Sequence, residues 1–386
     1  MMIRRPAPIR TDASNAFAHR TIRERVPAII RETQSLNPDF PQPVQSALDQ
    51  LRDALVSDAP IAMLDLPAPD YDDWLPLWTP YRGESWQNTA WFFAEVYFYR
   101  LLTQAVRWWE TGRDPFLPKK NEEYAGVQLW ELLETALAVD GQPEDKLAAM
   151  LEFALWGNRV DLSYALAASH GNHIADDDLL ADEHERVVER LLSRRGTVHV
   201  IADNAGTELA MDLALLDTLL TDQIAHRAVL HLKLHPTFVS DAMVPDVLKF
   251  IDMTRDHGPA ASAFGDRLRA YLEEGRLRLA PDAYWNSTRF LWDLPPRLVR
   301  LFTNSQLAII KGDANYRRMV GDAIWPPETS LQDVADFFPC PLLAMRTLKS
   351  DPVVGLPAGL ADKLDTVDDQ WRVNGRRGVL QTNFER

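Results

Sequence analysis

Helical spacing of apolar residues runs through the first half of the chain. It is clear over residues 44–55 and in the aromatic-rich segment 86–109. The aromatic segment is too apolar to be solvated, so we expect a buried helix in which Glu95 and Arg100 pair with each other. The same spacing continues over two further segments, 127–157 and 176–194. The first half of the chain is therefore predicted to be mainly helical.

After Gly196 the pattern changes to short β-rich runs that alternate with helical spacing. The runs with strand character are TVHVIAD from 197, RAVLHLKL from 227, RLRLA from 276, QLAIIKG from 306, PLLAMRT from 341 and RGVLQT from 377. This alternation predicts a parallel sheet covered by helices, with sites at the carboxyl ends of the strands. We expect a mainly helical region over 1–190 and an α/β domain over 191–386.

Composition and charge restrict the possible partners. The chain has 386 residues and a formal net charge of −15, which would repel a nucleic acid backbone. No apolar run is long enough to cross a membrane, and the basic start lacks the apolar stretch of a signal peptide, so we expect a cytoplasmic protein. The single cysteine, Cys340, excludes an internal disulfide. Composition leaves the oligomeric state open.

Oxygen-bearing side chains follow the first two strands of the predicted sheet. Asp203 and Asn204 come directly after the apolar run from 197, and Asp241 lies beyond the next strand. Carboxylate and amide oxygens suit magnesium or manganese, and the helix that follows Gly206 begins with an amino end that favours anions. The alternative is that Asp203 and Asn204 only cap this helix. If the strand ends converge, the three side chains form a metal site.

Lys233 and His235, which precede Asp241, each have two alternative roles. Lys233 either contacts phosphate or points to solvent, where isolated lysines are usually found. His235 is either a ligand or base, or a structural residue before a proline, and the structural interpretation is the commoner one. We do not count His235 among the ligands.

Two later strand ends carry further polar groups. The run from 306 is followed by four residues that suit a polyol phosphate: Asp313, Asn315, Tyr316 and Arg317. The next strand ends in Arg346 and Lys349, whose charges can stabilise a transferring phosphoryl group. In the helical half, Asn158 and Asp161 are three apart; they either share a helix face that lines the cleft or form a turn and a cap.

Together these segments resemble the damage-control phosphatase family, in its acidic-residue methyltransferase-like subgroup. The matching segments are WFFAEVYFYR at 91–100, LWGNRVDLS at 155–163, DNAGTEL at 203–209, KLHPTFVSD at 233–241, KGDANYRRMVGD at 311–322 and RTLK at 346–349. Their joint order and spacing is much more specific than any one of them. Thr237 and Ala314 depart from the family pattern, which has tryptophan and leucine there, so the preferred sugar is left open.

The resemblance implies an α/β/α three-layer sheet domain with a helical amino-terminal region. It implies that Asp203, Asn204 and Asp241 hold a divalent cation, namely Mn²⁺, Co²⁺, Ni²⁺ or Mg²⁺. The loop around Asp313 to Arg317, together with Lys349, would bind a small phosphorylated metabolite such as fructose 1-phosphate. We expect phosphomonoester hydrolysis in which Lys349 and Arg317 neutralise charge and either water or Asp203 attacks.

Two other function classes remain possible at this stage. One is an S-adenosylmethionine-dependent carboxyl methyltransferase, although the turn DNAG offers one glycine where a nucleotide-binding turn usually has several. The other is a phosphosugar-binding protein without catalytic activity. Cofactor binding would identify the first, and phosphate release would exclude the second.

Overall fold

A seven-stranded sheet forms the centre of the computed structural model, which describes residues 4–157 and 178–384. The strands are β1 (Leu179–Asp182), β2 (Thr197–Ile201), β3 (Arg227–Leu232), β4 (Leu277–Pro281), β5 (Leu307–Lys311), β6 (Leu342–Thr347) and β7 (Gly378–Thr382). Their order is β1-β7-β6-β5-β2-β3-β4. All neighbouring pairs are parallel except β6 and β7, which are antiparallel.

The six strands predicted from the sequence are confirmed, but a seventh was missed. Residues 179–182 form β1 within a segment predicted to be helical, and of the described part of that segment, from residue 178 on, His184–Ser193 is a helix. A four-residue strand at the edge of a sheet is too short to show an alternating pattern. The sequence of β7 likewise does not show that this strand pairs antiparallel with β6, because tertiary pairing sets the strand direction.

Helices surround the sheet and extend from it. Those before β1 are α1 (Ala16–Arg20), α2 (Val26–Leu36), α3 (Gln42–Val56), α4 (Tyr71–Trp78), α5 (Trp91–Ala105), α6 (Trp108–Thr111), α7 (Leu117–Ala125), α8 (Val127–Leu137) and α9 (Pro143–Trp156). A π-helical turn, Thr21–Arg25, joins α1 to α2. The later ones are α10 (His184–Ser193), α11 (Thr207–Thr221), α12 (Val244–Met253), α13 (Gly258–Glu273), α14 (Pro296–Phe302), α15 (Gly312–Val320), α16 (Leu331–Val334) and α17 (Leu360–Val367).

Alternate residues of the central strands enter two separate hydrophobic cores. Val198 and Val200 of β2 pack with α8, α9 and α11, whereas Ile201 and Ile310 face the opposite core, to which α14, α15 and α17 contribute. A period of two is what an extended strand imposes on a sheet with both faces covered. The predicted α/β/α arrangement is therefore confirmed.

The amino-terminal helices α1 to α5 build a third core of their own. It is rich in aromatic residues, and most of α5 is buried in it, as the sequence predicts. Two helices that precede residue 190, α8 and α9, pack on the sheet instead. The division of the chain near residue 190 stays a prediction. No helix in the described part of the chain has the length and apolar character needed to span a bilayer.

The expected pairing of Glu95 with Arg100 is wrong. Arg100 makes a bidentate ion pair with Asp70, and Glu95 instead accepts a hydrogen bond from Arg317 of α15. Residues five apart do not share a face of an α-helix, so the two side chains of α5 point to different neighbours. Glu95 thereby connects the helical region to the sheet domain.

Candidate metal and phosphate site

A short backbone bridge beyond β2 and β3 brings the predicted metal ligands together. The N–H of Ala242 donates to the carbonyl of Asp203 (2.8 Å), and that of Ala205 donates to the carbonyl of Ser240 (2.7 Å). These bonds pair Asn204 with Asp241 in antiparallel fashion. The two strand ends therefore do converge, and the second aspartate reaches the first through main-chain pairing.

The loop that delivers Asp241 has an unusual backbone. Phe238 and Val239 adopt φ values of +48° and +70°, which is rare for a residue with a side chain and rarer for a β-branched one. Strained conformations of this kind persist where the surrounding structure imposes them, and they concentrate at functional sites.

The amide of Asn204 is held in one orientation. Its Nδ2 donates to Oδ2 of Asp203 and to Oε2 of Glu208, each at 2.9 Å. Its Oδ1 accepts from the hydroxyl of Ser240 at 2.5 Å. The amide oxygen and the Asp203 carboxylate are therefore fixed before any ligand arrives.

Lys233 is buried beside Asp241 and does not point to solvent. Its Nζ lies 3.3 Å from Oδ2 of Asp241 and donates to the carbonyl of Trp285 at 3.1 Å. Oδ2 of Asp241 is itself buried, with the Lys233 ammonium as its charged neighbour. Burial raises the pKa of Asp241 to about 6 although Lys233 opposes the shift, and burial lowers the pKa of Lys233.

The negative charge of Asp203 is disfavoured by its surroundings. Burial and the neighbouring carboxylates Glu208 and Asp241 raise its pKa well above its usual range, while Lys349 and Lys233 oppose this shift. A carboxylate in this state is stabilised by a nearby cation.

Three further buried residues form a network that sequence reasoning missed. Lys311, at the end of β5, lies 2.7 Å from Asp212 and 3.2 Å from Glu208. Burial favours the neutral form of Glu208, but Lys311 and Lys349 outweigh it, so the pKa of Glu208 is lowered. Burial raises the pKa of Asp212 to about 7. The signal was available, because Glu208 and Asp212 are four apart and share one face of a predicted helix.

The carboxylate of Glu123 lies at the amino end of α11, so the protein itself supplies an anion there. The helix begins after Gly206, and the N–H of Thr207 donates to the carboxylate of Glu123 at 2.7 Å. A Cβ on Gly206 would lie 2.2 Å from that carboxylate. Neither Asp203 nor Asn204 caps the helix, which removes the alternative role for this pair.

Most of the residues predicted to bind phosphate have protein partners. Oδ1 of Asp313 accepts from the N–H of Lys349 (3.0 Å) and from Nε of Arg346 (2.8 Å). Asn315 donates to the carbonyl of Ala202 (3.1 Å), which directly precedes Asp203. These contacts hold the ends of β2 and β6 against α15.

Two of these predicted residues have their polar groups directed at the protein. The hydroxyl of Tyr316 donates to Gln381 at 3.2 Å. Arg317 is buried between Asp322 (2.6 Å) and Glu95, and its guanidinium stacks 3.6 Å from the centre of the Trp91 ring. The substrate contacts expected for both residues stay predictions.

Lys349 has a different environment. Its side chain is only partly buried, and it lines a cavity of about 620 Å³ beside the π-helical turn. His235 is buried, lies 3.2 Å from the Pro236 carbonyl and has a pKa lowered by burial to about 4, which agrees with a structural role. Asn158 and Asp161 lie outside the described residues.

The donor set at the end of β2 and β3 fits a hard divalent cation. It offers carboxylate oxygens from Asp203 and Asp241 and an amide oxygen from Asn204, and Oδ2 of Asp241 is buried with Lys233 as its charged neighbour. In the described part of the chain, no three or more His, Cys, Asp or Glu side chains form a metal-binding group. A cation here would therefore need the amide oxygen of Asn204 besides the two carboxylates.

Comparisons with known proteins agree on one family. A family model described as "Damage-control phosphatase ARMT1-like domain" matches residues 19–364. Relatives named "Damage-control phosphatase ARMT1" include the protein from Danio rerio, 28% identical over 97% of this chain and 96% of its own length. Those from Rattus norvegicus and Homo sapiens are 28% and 26% identical and cover 98% and 97% of this chain, and 99% and 98% of their own lengths.

A solved structure shares the fold. The crystal structure of a DUF89 family protein from Pyrococcus horikoshii superposes with a TM-score of 0.50 at 14% identity, over 94% of this chain and 98% of its own. At this identity the likeness concerns the fold alone.

Proposed function

The chain belongs to the damage-control phosphatase family with an ARMT1-like domain, and we propose that it hydrolyses phosphomonoesters of small metabolites where β2 and β3 end. The observation that carries the proposal is the backbone bridge that brings Asp241 beside Asp203 and Asn204, with two buried carboxylates whose raised pKa values favour a bound cation. Family membership makes the chain a metal-dependent phosphatase. The substrate, a sugar phosphate similar to fructose 1-phosphate, belongs to the proposal.

Asp203, Asn204 and Asp241 would hold the divalent cation. Mn²⁺, Co²⁺, Ni²⁺ and Mg²⁺ all accept such oxygen ligands. When bound, the cation would polarise the phosphoryl group and offset its charge.

The surrounding residues orient these groups and balance their charge. Lys311 keeps Glu208 ionised, so that Glu208 accepts a hydrogen bond from Asn204 and directs the amide oxygen away from itself. Lys233 balances Asp241 from the buried side. These contacts prepare the site before substrate binds, which is how electrostatic stabilisation avoids reorganisation during the reaction.

Lys349 is proposed to neutralise negative charge on the transferring phosphoryl group. It borders the cavity and acts on the pKa values of both Asp203 and Glu208, which places its ammonium within electrostatic range of the site. Asp313 fixes the Lys349 backbone. Arg317 is proposed to act indirectly, by holding α15 and therefore Asp313 in place.

The test is phosphate release by metal-stripped protein on a panel of sugar phosphates, with Mn²⁺, Co²⁺, Ni²⁺ or Mg²⁺ added back. We expect metal-dependent release that falls at least about 100-fold in Asp241→Ala, because loss of even an outer-shell contact costs 10- to 100-fold. Asp222→Ala removes an exposed carboxylate that pairs with Lys146, and it should retain full activity.

Two results would contradict the proposal. Release by Asp241→Ala at the wild-type rate would remove Asp241 from the site. No release with any metal would favour the methyltransferase or the non-catalytic binding protein.

A further inference from the structure

The cavity beside Lys349 has cations on two sides. Its lining includes Arg20 and Arg25 from the amino-terminal helices, and Lys349 with the chain at 373–375 from the sheet domain. One acidic residue, Glu24, is also part of the lining. A volume of about 620 Å³ is in the range of pockets that hold small metabolites.

Arg20 and Arg25 have no hydrogen-bonding or ion-pair partner in the described part of the chain, and the guanidinium of Arg20 lies 5.8 Å from the centre of the Phe17 ring. Neither guanidinium makes a hydrogen bond or an ion pair there, although many other arginines of this acidic protein do. Arg25 is close enough to oppose the burial-driven rise in the pKa of Tyr99, a residue on which Asp241 also acts. Arg25 and Asp241 therefore both lie within electrostatic range of the Tyr99 hydroxyl.

The π-helical turn explains how both arginines reach the same cavity. At about 100° per residue, positions five apart on an α-helix point about 140° away from each other. The turn Thr21–Arg25 has the wider spacing in which residue i bonds residue i+5, as the N–H of Val26 does with the carbonyl of Thr21. This spacing brings Arg20 and Arg25 to nearly the same side. Single π-turns inside helices are frequent at functional sites.

We propose that the cavity is a second phosphate subsite, in which Arg20 and Arg25 bind a phosphate of the substrate other than the one that is hydrolysed. The chemical class is a small sugar bisphosphate, with one phosphate beside Asp203 and the other against the π-helical turn. This inference rests on the proposed function, because that function places the reacting phosphate at the metal site. Unpaired arginines suit a phosphate, whose oxygens accept bidentate, charge-assisted hydrogen bonds.

The experiment compares fructose 1-phosphate with fructose 1,6-bisphosphate, which differ only in the second phosphate. Initial rates are measured with the full chain and Mg²⁺. For the wild type we expect a KM about tenfold lower for the bisphosphate. In Arg25→Met we expect kcat/KM to fall about tenfold for the bisphosphate and less than twofold for the monophosphate, because only the second phosphate loses its partner.

Arg23→Met is the matched control. Arg23 belongs to the same π-helical turn, is exposed, contacts His19 (3.4 Å) and does not line the cavity. It should leave both substrates unchanged. Equal KM values for the two substrates, or an equal loss for both in Arg25→Met, would overturn the subsite while leaving the phosphatase intact.

Calorimetry of the metal-stripped protein separates the two proposals if no phosphate is released. The subsite then predicts that fructose 1,6-bisphosphate binds the wild type about tenfold more tightly than it binds Arg25→Met. Equal binding by wild type, Arg25→Met and Arg23→Met would overturn the subsite independently of turnover.

Discussion

The carboxylate of Asp203 lies directly against the backbone of Gly312. Gly312 begins α15 with a φ of +80°, and a Cβ there would lie 2.0 Å from Oδ2 of Asp203. No carbon can approach an unbonded oxygen so closely, so only glycine lets α15 start beside Asp203. The position of the Asp203 carboxylate thus depends on the absence of a side chain at residue 312.

Gly312→Ala is expected to abolish most phosphate release, because the new methyl group displaces the Asp203 carboxylate. The left-handed backbone adds a stability cost of about 1–2 kcal/mol. Phosphate release and urea unfolding measure the two effects.

Gly275→Ala is the control that measures the stability cost of a left-handed backbone without displacing a carboxylate. Gly275 has a φ of +68° but no atom within 4 Å of its virtual Cβ, so the alanine variant should lose similar stability and keep full activity. Equal activity of Gly312→Ala and Gly275→Ala would show that Asp203 does not need its present position.

At the scale of elements, α15 is the connection between the helical region and the sheet. Its Arg317 pairs with Asp322 and with Glu95 of α5, and its Asp313 binds the chain at Lys349. The sequence predicted a phosphate-binding loop from 313 to 317. The structure has a helix there, with most of the predicted side chains turned into protein contacts, because Gly312 allows the helix to begin immediately after β5.

Arg317→Met is expected to lower the free energy of unfolding by about 3–5 kcal/mol, since it leaves two buried carboxylates without their cation. Arg300→Met, at an exposed position of α14, should change it by less than about 0.5 kcal/mol. Urea unfolding tests both. A small stability loss with a large rise in KM would instead show that Arg317 contacts the substrate.

For the whole molecule, buried acids make stability depend on pH. In the folded chain Asp212 keeps its proton up to a pKa of about 7, because it is buried beside Glu208, although Lys311 opposes this. In the unfolded chain it loses the proton near pH 4. Between these pH values the folded state binds more protons, so this group makes the free energy of unfolding fall as pH rises.

Asp212→Asn removes this contribution. The free energy of unfolding of the variant minus that of the wild type should increase from pH 4 to 7 by an amount on the order of a few kcal/mol, then level off. Urea unfolding of metal-stripped protein measures it. Asp222→Asn, at an exposed acid, should differ from wild type by a nearly constant amount, and a constant difference for Asp212→Asn would refute the assignment.

Much of the architecture was readable from local pattern. Apolar runs of strand length predicted β2 to β7, and helical spacing predicted the buried α5, because burial of one face or both imposes a period on the sequence. Asp203, Asn204 and Asp241 were found because they follow strands whose ends meet at one edge of a parallel sheet.

Only the tertiary structure decided which charges meet. Lys233 and Lys311 lie on strands whose side chains alternate between two buried faces, and the sequence cannot say which carboxylates those faces contain. Glu95 pairs with Arg317 and not with Arg100. Arg20 and Arg25 line the same cavity because of a π-helical turn, which the periodicity of the sequence does not reveal. Ion pairs between distant segments depend on how elements pack, whereas strands and helices depend on neighbours in the chain. The sequence therefore determined the layers and the oxygen-bearing side chains that follow β2 and β3, and the packing determined the charge balance around them.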